Sequence, residues 1–270
     1  MKLKLIGLAS LSLFLVACGQ SSNADGQVIR LASSPGPYSE FFLDYIAPEL
    51  ENQGYQVKNI TFTDLRAADV GMAEGEADLN VDQHSLYLDN FNQESQANLQ
   101  KLGPIPTVPT AIYPANKADL AGLADGDRIG IPDDPSNLTR ALLLLEKAGI
   151  ISIKTGANLA QLSLEDVEAV GAQVELLAMQ SATIPRTLPD LEFAVIPGSI
   201  AYDADLDFNR ALAYETVEDK FFLQAVVAPD QVDQDWTHAV MEIYQSPVIK
   251  DKVAELNQSS GQAYWVLPEK

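Results

Sequence analysis

Short apolar segments alternate with segments of helical periodicity along most of the chain, and this alternation constrains the fold more than any other feature. Near the start, an apolar segment at 28–34 is followed by a helical pattern at 38–54 and a further apolar segment at 56–63. Strands that alternate with helices are typical of α/β proteins with mostly parallel sheets. The sequence therefore predicts an α/β fold.

A proline-rich stretch at 103–116 interrupts the alternation. Its prolines lack the backbone N–H that a central strand or a helix interior requires, so the stretch is expected to be an extended crossing segment. The alternation restarts near residue 128, and a second extended stretch at 210–230 carries the chain back. Two regions of alternating strands and helices, joined by two extended crossing segments, predict two lobes with a hinge and a cleft between them.

The chain is also too long for one minimal core, because about 240 residues remain after the N-terminal segment. We expect a first lobe that combines two separate parts of the chain and a second lobe inserted between them. The expected first lobe is 28–111 plus 224–270, and the expected second lobe is 112–223.

The N-terminus has the layout of a secretory signal. Lys2 and Lys4 precede an apolar run at 5–16, which is short for a membrane span. The run ends in "LVACG" (15–19), which holds the only cysteine of the chain, Cys18, and resembles the lipobox of bacterial lipoproteins. That resemblance implies cleavage before the cysteine and transfer of a diacylglyceryl group to its sulfur. The alternative is a plain signal peptide with an incidental cysteine.

We therefore expect 1–17 to be a lipoprotein signal peptide and 18–27 to be a lipidated, flexible tether. The acyl chains on Cys18 would hold the protein outside the cytoplasm, at the periplasmic face of the membrane or at the cell surface. With no other cysteine, the folded part has no disulfide available to it.

The charge excludes one class of partner. The chain has 17 Lys and Arg against 38 Asp and Glu, a formal net charge of -21. Such a surface repels phosphate backbones, so we expect no nucleic-acid partner. The acidic residues are dispersed rather than grouped in an acidic tail, which is typical of a solvated surface. We expect a monomer.

The most informative segment is "IPDDPSNLTRALLLLEKAG" (131–149), in which a strand leads through a polar turn into a helix. The helix is expected to begin near Ser136 or Asn137, where free N–H groups and the helix dipole stabilise an anion. Arg140 would lie in the first turn and add a bidentate grip on a carboxylate. The alternative is an Asn or Ser cap with Arg140 paired to one of the two preceding aspartates at the surface.

Together, these segments make the chain resemble the methionine-binding lipoproteins that feed ABC importers, a family of type II periplasmic binding proteins. The matching stretches occur in the family's order and at similar spacing. They are "SPGPYSE" (34–40), "DLNVDQHSLYLDNFN" (78–92), "IPDDPSNLTRALLLLEKAG" (131–149), "PRTLPDLEFAVIPG" (185–198) and "SPVIK" (246–250).

The resemblance implies a two-lobed binding protein whose lobes close over an amino acid or a small derivative in the cleft. A membrane permease would recognise the closed conformation, and the ATPase that is its partner would hydrolyse ATP. The resemblance implies no catalysed reaction and no cofactor. Residue by residue, it implies that His84 and Tyr87 line the cleft, that Asn137 and Arg140 grip the backbone groups of the amino acid, and that Tyr38 borders the cleft.

Two positions depart from the family's pattern. Val81 and Asp82 stand where the family usually has two aromatic residues, and Pro197 stands where it usually has an Asn. Proline offers neither a side-chain amide nor a backbone N–H to a ligand. These departures suggest a ligand more polar than methionine, or a cationic one.

Strand periodicity bears on Asp82. In an extended strand, Asp78, Asn80, Asp82 and His84 would point to one side, and Leu79, Val81 and Gln83 to the other. If His84 faces the cleft, Asp82 would face it too, and the amino group of a ligand would meet its carboxylate. The alternative is a strand-end Asp82 that points at water.

Other functions are less well supported by the residues. His84 as a general base would make the protein an enzyme, but the chain has no G-x-S-x-G turn and no phosphate-binding loop. A metal site is not expected, because His238, the other histidine, lies far along the chain and no calcium-loop spacing is present. A surface lipoprotein that acts in adhesion or sensing is the remaining alternative.

Overall fold

The computed structural model describes residues 26–259 and 265–269. The expected signal peptide, Cys18 and nearly all of the expected tether lie outside these residues. The strands are β1 (Val28–Ser33), β2 (Gln56–Thr61), β3 (Leu79–His84), β4 (Gln100–Ile105), β5 (Ala111–Pro114), β6 (Arg128–Pro132), β7 (Ile151–Ile153), β8 (Val167–Ala169), β9 (Glu175–Met179), β10 (Phe193–Ile196), β11 (Ala213–Tyr214) and β12 (Leu223–Val227).

The helices alternate with these strands. They are α1 (Pro37–Phe41), α2 (Ala47–Asn52), α3 (Leu65–Ala73), α4 (Ser85–Ser95), α5 (Pro135–Lys147), α6 (Ile184–Thr187), α7 (Gly198–Asp203), α8 (Asp235–Gln245) and α9 (Pro247–Ser259). Short 3-10 turns occur in several of the connections. Within the described residues, no helix is both long and apolar enough to cross a membrane.

The strands form two five-stranded sheets and one small hairpin. The first sheet has the order β2-β1-β3-β12-β4, the second has the order β11-β5-β10-β6-β9, and β7 pairs with β8. In each sheet, one strand has a parallel neighbour on both sides: β1 lies between β2 and β3, and β6 lies between β9 and β10. The α/β prediction is thereby confirmed.

The sheets are less parallel than expected, and the reason is the path of the chain. The chain passes from β4 to β5 through 106–110 and returns from β11 to β12 through 215–222. Within the two five-stranded sheets, each antiparallel pair of strands includes at least one of the four strands that flank these passages. The strands of the first sheet thus come from 28–105 and 223–227, and those of the second from 111–214.

The proline-rich stretch at 103–116 is more regular than the sequence suggested, because 103–105 and 111–114 lie in β-strands. β4 contains Pro104 and is the edge strand of its sheet, as a proline requires. β5, however, lies inside the second sheet, between β11 and β10. A central strand is possible there because Pro114 is its last residue, so the missing N–H falls where the ladder ends.

Proline also accounts for irregularities in two helical regions of the chain. The helix expected at 38–54 contains a π-helical turn, Phe42–Ile46, directly before Pro48. The wider turn relieves the clash of the Pro48 ring with the preceding turn. Near the C-terminus, Ser246 is extended (ψ 154°) because Pro247 follows it, and α8 therefore ends before α9 begins.

Each sheet has its own apolar core. Under the first sheet, Phe42 and Trp236 are among the largest fully buried side chains and pack with Ile29 of β1. Under the second sheet, Leu142 and Leu145 of α5 pack on Phe193 of β10 with Ile129 and Ile131 of β6. Separate cores let each sheet and its helices behave as one lobe, and the two passages carry the chain from one lobe to the other.

Candidate functional site

A cavity of about 390 Å³ lies between the two lobes. It is lined from both sides by residues that directly follow β1, β2, β3, β6, β9 and β10, which are the carboxyl ends of strands that pair in parallel. Ligand sites of open α/β sheets usually form at this edge. All seven residues expected to bind ligand line this cavity. They are Tyr38, Asp82, His84, Tyr87, Asn137, Arg140 and Pro197.

His84 ends β3 and caps α4. Its Nδ1 accepts a hydrogen bond from the backbone N–H of Tyr87 at 3.2 Å, so the proton of the neutral ring is on Nε2. Nε2 then donates to Oδ1 of Asn137, 3.3 Å away in the second lobe. Burial and the charge of Arg140 together lower the pKa of His84 to about 3, against the hydrogen bond to Asn137. His84 is therefore neutral and engaged at both nitrogens.

A second hydrogen bond joins the lobes near the rim of the cleft. The hydroxyl of Tyr202 in α7 donates to Oε2 of Glu40 in α1 at 2.6 Å. Together with the contact between His84 and Asn137, it holds the lobes in contact across the cavity. The arrangement is that of a closed cleft.

The start of α5 differs from the expectation. The helix begins at Pro135, and its cap is Asp134, whose Oδ1 accepts from the N–H of Asn137 at 3.0 Å and from Oγ of Ser136 at 2.9 Å. Asp is a strong cap and Pro fits the first helical position, since no N–H is needed there. The helix thus begins one residue before Ser136, close to the expected start, and the alternative of an Asn or Ser cap is wrong because Asp134 is the cap. The carboxylate of Asp134 occupies the place at the helix start where we expected a ligand anion.

Arg140 lies in the second turn of α5 and not in the first, and it pairs with neither preceding aspartate. Its side chain is only 3% exposed and forms an ion pair with Glu215, which is 6% exposed. Nε donates to Oε1 at 2.8 Å and to Oε2 at 2.7 Å, and Nη2 also donates to Oε1. The Nε/Nη2 edge is thus taken by Glu215 and is not available for the bidentate grip on a ligand carboxylate that we expected of Arg140.

The ion pair also fixes the charge of the guanidinium. Burial alone would lower the pKa of Arg140, but the attraction of Glu215 and its hydrogen bonds outweigh burial and raise that pKa. Glu215 was missed in the sequence, because it lies 75 residues from Arg140 and carries no local motif. Nη1 of Arg140 forms no hydrogen bond in the described part of the chain.

Asp82 reaches the cavity through a β-bulge. Asn80 pairs with Val226 and Gln83 with Gln224, so three steps along β3 face two along β12. The expected alternation therefore fails. Asn80 accepts from Nε2 of Gln83 at 3.1 Å on one side of the strand, while Asp82 contacts Ser39 of α1 on the other.

The carboxylate of Asp82 is bound by the protein itself. It accepts from the backbone N–H of Ser34 at 2.8 Å, from Oγ of Ser34 at 2.9 Å and from Oγ of Ser39 at 2.8 Å. Burial raises the pKa of Asp82 to about 6, although these hydrogen bonds oppose the shift. Asp82 does not point at bulk water, and it accepts these hydrogen bonds from the protein itself and not from a ligand.

Two other expected residues form parts of the cavity wall. The Tyr38 ring packs edge-on against Trp265, with ring centroids 5.8 Å apart, and its hydroxyl lies 3.4 Å from the backbone of Val108 in the first passage. Pro197 follows β10 and caps α7, so its ring, in place of an amide, faces the cavity.

Further lining residues were missed, although a signal for them existed. They follow β2 and β9 just as the expected ones follow β1, β3, β6 and β10, so the carboxyl-end rule would have found them. They include Thr63, Asp64, Arg66, Gln180 and Ser181. Among the described residues, no group of three or more His, Cys, Asp or Glu side chains has an arrangement suited to a metal ion.

Known proteins are similar to this chain in sequence over nearly their whole length. Outer membrane lipoprotein 3 of Mannheimia haemolytica is 31% identical over 259 residues, which cover 94% of this chain and 95% of the relative. D-methionine-binding lipoprotein MetQ of Escherichia coli (strain K12) is 27% identical over 259 residues and 94% of each chain.

The same architecture occurs in solved structures. A nutrient binding protein from Burkholderia cenocepacia bound to methionine superimposes with a TM-score of 0.81 at 27% identity, over 89% of this chain and all of that one. The profile of the NlpA lipoprotein family matches residues 29–265. This match includes both sheets and every expected cavity residue. The chain is therefore a member of the NlpA lipoprotein family.

Proposed function

We propose that this chain is the substrate-binding protein of an ABC importer and that it binds methionine or a closely related amino acid in the cavity between its lobes. The observation that carries the proposal is the convergence of all seven expected residues, drawn from both lobes, on one cavity. The names of the relatives and the methionine-bound neighbour support methionine as the ligand class. The closed protein would deliver the amino acid to a membrane permease with its ATPase.

Within the cavity, Nη1 of Arg140 takes the ligand carboxylate and the amide of Asn137 contacts the backbone groups. His84, Tyr87, Tyr38 and Pro197 form the wall around the remainder of the ligand. Both nitrogens of His84 are engaged and the ring is neutral, which supports a role as a wall and not as a general base. We propose that the protein catalyses no reaction.

The lobe division and the anchor belong to the same proposal. The first lobe is 28–111 plus 224–270 and the second is 112–223. The strand membership of the two sheets supports this division except at Ala111, which lies in the second sheet, and Leu223, which lies in the first. Cys18, after a signal at 1–17, carries the acyl anchor on the outer side of the membrane, and the protein acts as a monomer. Membership in a lipoprotein family supports the anchor. Nothing in the comparisons favours a role in adhesion or sensing.

A thermal-shift panel of amino acids tests the proposed function. The full-length protein, purified in mild detergent, is unfolded and refolded to release any bound ligand, and is then heated with each amino acid, including both enantiomers of methionine. A ligand at 100 times its Kd adds about 2.7 kcal/mol, which is roughly 5 to 10 °C in Tm for a protein of this size. Failure of every amino acid to raise the Tm of refolded protein contradicts the proposal.

The substitution Asp82→Asn tests whether the amino group of the ligand meets this carboxylate, as we expected for a more polar or cationic ligand. Ser34 and Ser39 already donate hydrogen bonds to the carboxylate of Asp82. Because this carboxylate does not need a contact with the ligand, Asp82→Asn is expected to change the Kd for methionine by less than about threefold. Isothermal titration calorimetry measures this change, with Ser199→Ala, another lining position, as the control. If the ligand's amino group instead meets Asp82, the substitution weakens binding by about tenfold or more.

A further inference from the structure

We infer that Glu215 is a positioning residue for the ligand: it holds Arg140 so that Nη1 alone projects into the cavity to take the ligand carboxylate. This inference rests on the proposed function and names a part of the site that the cavity lining does not contain. Glu215 lies behind Arg140, outside the wall that the described residues form around the cavity.

The geometry of the pair fixes the direction of the guanidinium. A guanidinium is planar, so two acceptor oxygens on its Nε/Nη2 edge set both its plane and its rotation. The carboxylate of Glu215 supplies these two oxygens, and the carbonyl oxygen of Val108 lies 3.4 Å from Nη2. The donor left for a ligand is Nη1. Without Glu215, the long Arg140 side chain loses the contact that selects this orientation.

Glu215 is itself held by the two passages between the lobes. Its Oε1 accepts from the backbone N–H of Thr110 at 2.6 Å, and its own N–H donates to the carbonyl of Thr110 at 3.0 Å. Thr110 ends the first passage and Glu215 begins the second. The anchor for the ligand carboxylate is therefore fixed to the segments that join the lobes as well as to α5.

The second passage also supplies the surface on which the guanidinium rests. The ring of Phe221 lies 5.4 Å from Cζ of Arg140 and 5.6 Å, edge-on, from the His84 ring. Phe221 is fully buried, so it blocks the guanidinium on one face. Glu215 and Phe221 thus restrict Arg140 from its edge and from its face, and the cavity receives a pre-oriented donor.

A comparison of two ligands tests the inference. Methionine has the carboxylate that Nη1 would bind, and methioninamide does not. If Glu215 positions Arg140, Glu215→Gln weakens methionine binding by about 10- to 100-fold, the range of one hydrogen bond to a charged group. The same substitution weakens methioninamide binding less, by about 2- to 10-fold, because the amide oxygen of that ligand accepts from Nη1 without carrying a charge. Isothermal titration calorimetry or, for weak binding, ligand-observed NMR gives both values.

Two further variants sharpen the result. Glu215→Asp keeps the charge but is one methylene too short to reach the guanidinium edge, so it is expected to lose methionine affinity as Glu215→Gln does. Glu192→Gln is the matched control, because Glu192 accepts from the backbone N–H of Arg128 away from the cavity wall and should leave both Kd values unchanged. A cooperative thermal melt confirms that each variant is folded.

The outcomes separate the inference from the proposed function. Equal losses for both ligands mean that Glu215 is merely structural, and tighter methionine binding in Glu215→Gln means that it competes with the ligand. Wild-type affinity in Glu215→Asp means that only its charge matters. Each of these results overturns the inference while the proposed function stands. A wild-type protein that binds neither ligand contradicts the proposed function itself.

Discussion

Arg140→Met is expected to destabilise the protein by about 3 to 5 kcal/mol, because the substitution leaves the carboxylate of Glu215 buried without its cation. For a protein of this size, the loss is roughly 6 to 20 °C in Tm. The double variant Arg140→Met/Glu215→Gln removes the uncompensated charge and keeps an acceptor for the N–H of Thr110. It is expected to recover most of the stability but none of the ligand binding.

Chemical denaturation of the wild type and of these two variants measures the effect. Arg66→Met is the control: Arg66 also lines the cavity, but its ion pair with Glu94 is exposed on both sides. Exposed pairs contribute at most about 1 kcal/mol, so the control should remain close to the wild type. A single Arg140→Met variant as stable as the wild type is incompatible with a buried pair, and so is a double variant no more stable than the single one.

Asp69→Asn is expected to stabilise the protein, and more strongly as the pH rises. Asp69 is fully buried in α3, and burial raises its pKa from 3.8 to about 8, against the hydrogen bond from Nε2 of Gln83. Its Oδ2 and the Oε1 of Gln83 have no hydrogen-bond partner in the described part of the chain. An amide at this position accepts from Gln83 as before, carries no charge at any pH in this range, and places a donor where Oδ2 has no partner.

The sign of the pH dependence follows from proton binding. Between about pH 4 and pH 8 the folded protein keeps the proton on Asp69 that the unfolded chain has released, so stability falls as pH rises through this window. Asp82, with its pKa raised to about 6, acts in the same direction only below that pH. His84, with its pKa lowered to about 3, acts in the opposite direction between about pH 3 and 6.5.

Of these three groups, Asp69 alone titrates between about pH 6.5 and 8. We therefore expect the wild type to lose about 1 to 2 kcal/mol of stability across this range and Asp69→Asn to lose almost none. At pH 8 the variant should be more stable by about 5 kcal/mol, because the raised pKa of Asp69 spans about four pH units. Melts at half-unit pH steps measure both values.

Asp127→Asn is a control of opposite sign, because Lys117 holds the pKa of Asp127 below its usual range. That substitution should destabilise the protein above pH 5. Parallel stability curves for the wild type and Asp69→Asn would exclude a buried, protonated carboxyl at Asp69.

The fold and most of the cavity could be predicted because their signals are local. Alternating strand and helix patterns identify the parallel strands, and side chains just after such strands meet at one edge of a sheet. Asp134 and Pro135 also gave a local signal for the start of α5, a strong cap followed by a residue suited to the first helical position. The helix start was therefore predicted to within one or two residues, although Asp134 was not identified as the cap.

The remaining features depend on contacts between distant segments. The bulge at Asp82 exists only because β12 pairs with β3 in a shifted register, more than 130 residues along the chain. Glu215 is one of many acidic residues in the sequence, and only the return passage brings it to Arg140. Charge pairing at long range has no periodicity, so a carboxylate of this kind cannot be distinguished from surface ones by sequence alone.

Identification of the ligand that co-purifies with the protein tests the central claim most directly. The wild type and the Arg140→Met/Glu215→Gln variant are purified in detergent without exposure to added amino acids, denatured, and the released small molecules identified by mass spectrometry. The account predicts about one methionine, or one closely related amino acid, for each wild-type chain and almost none for the folded variant. Wild-type protein that releases no amino acid and binds none when refolded, or a variant that retains full occupancy, would contradict it.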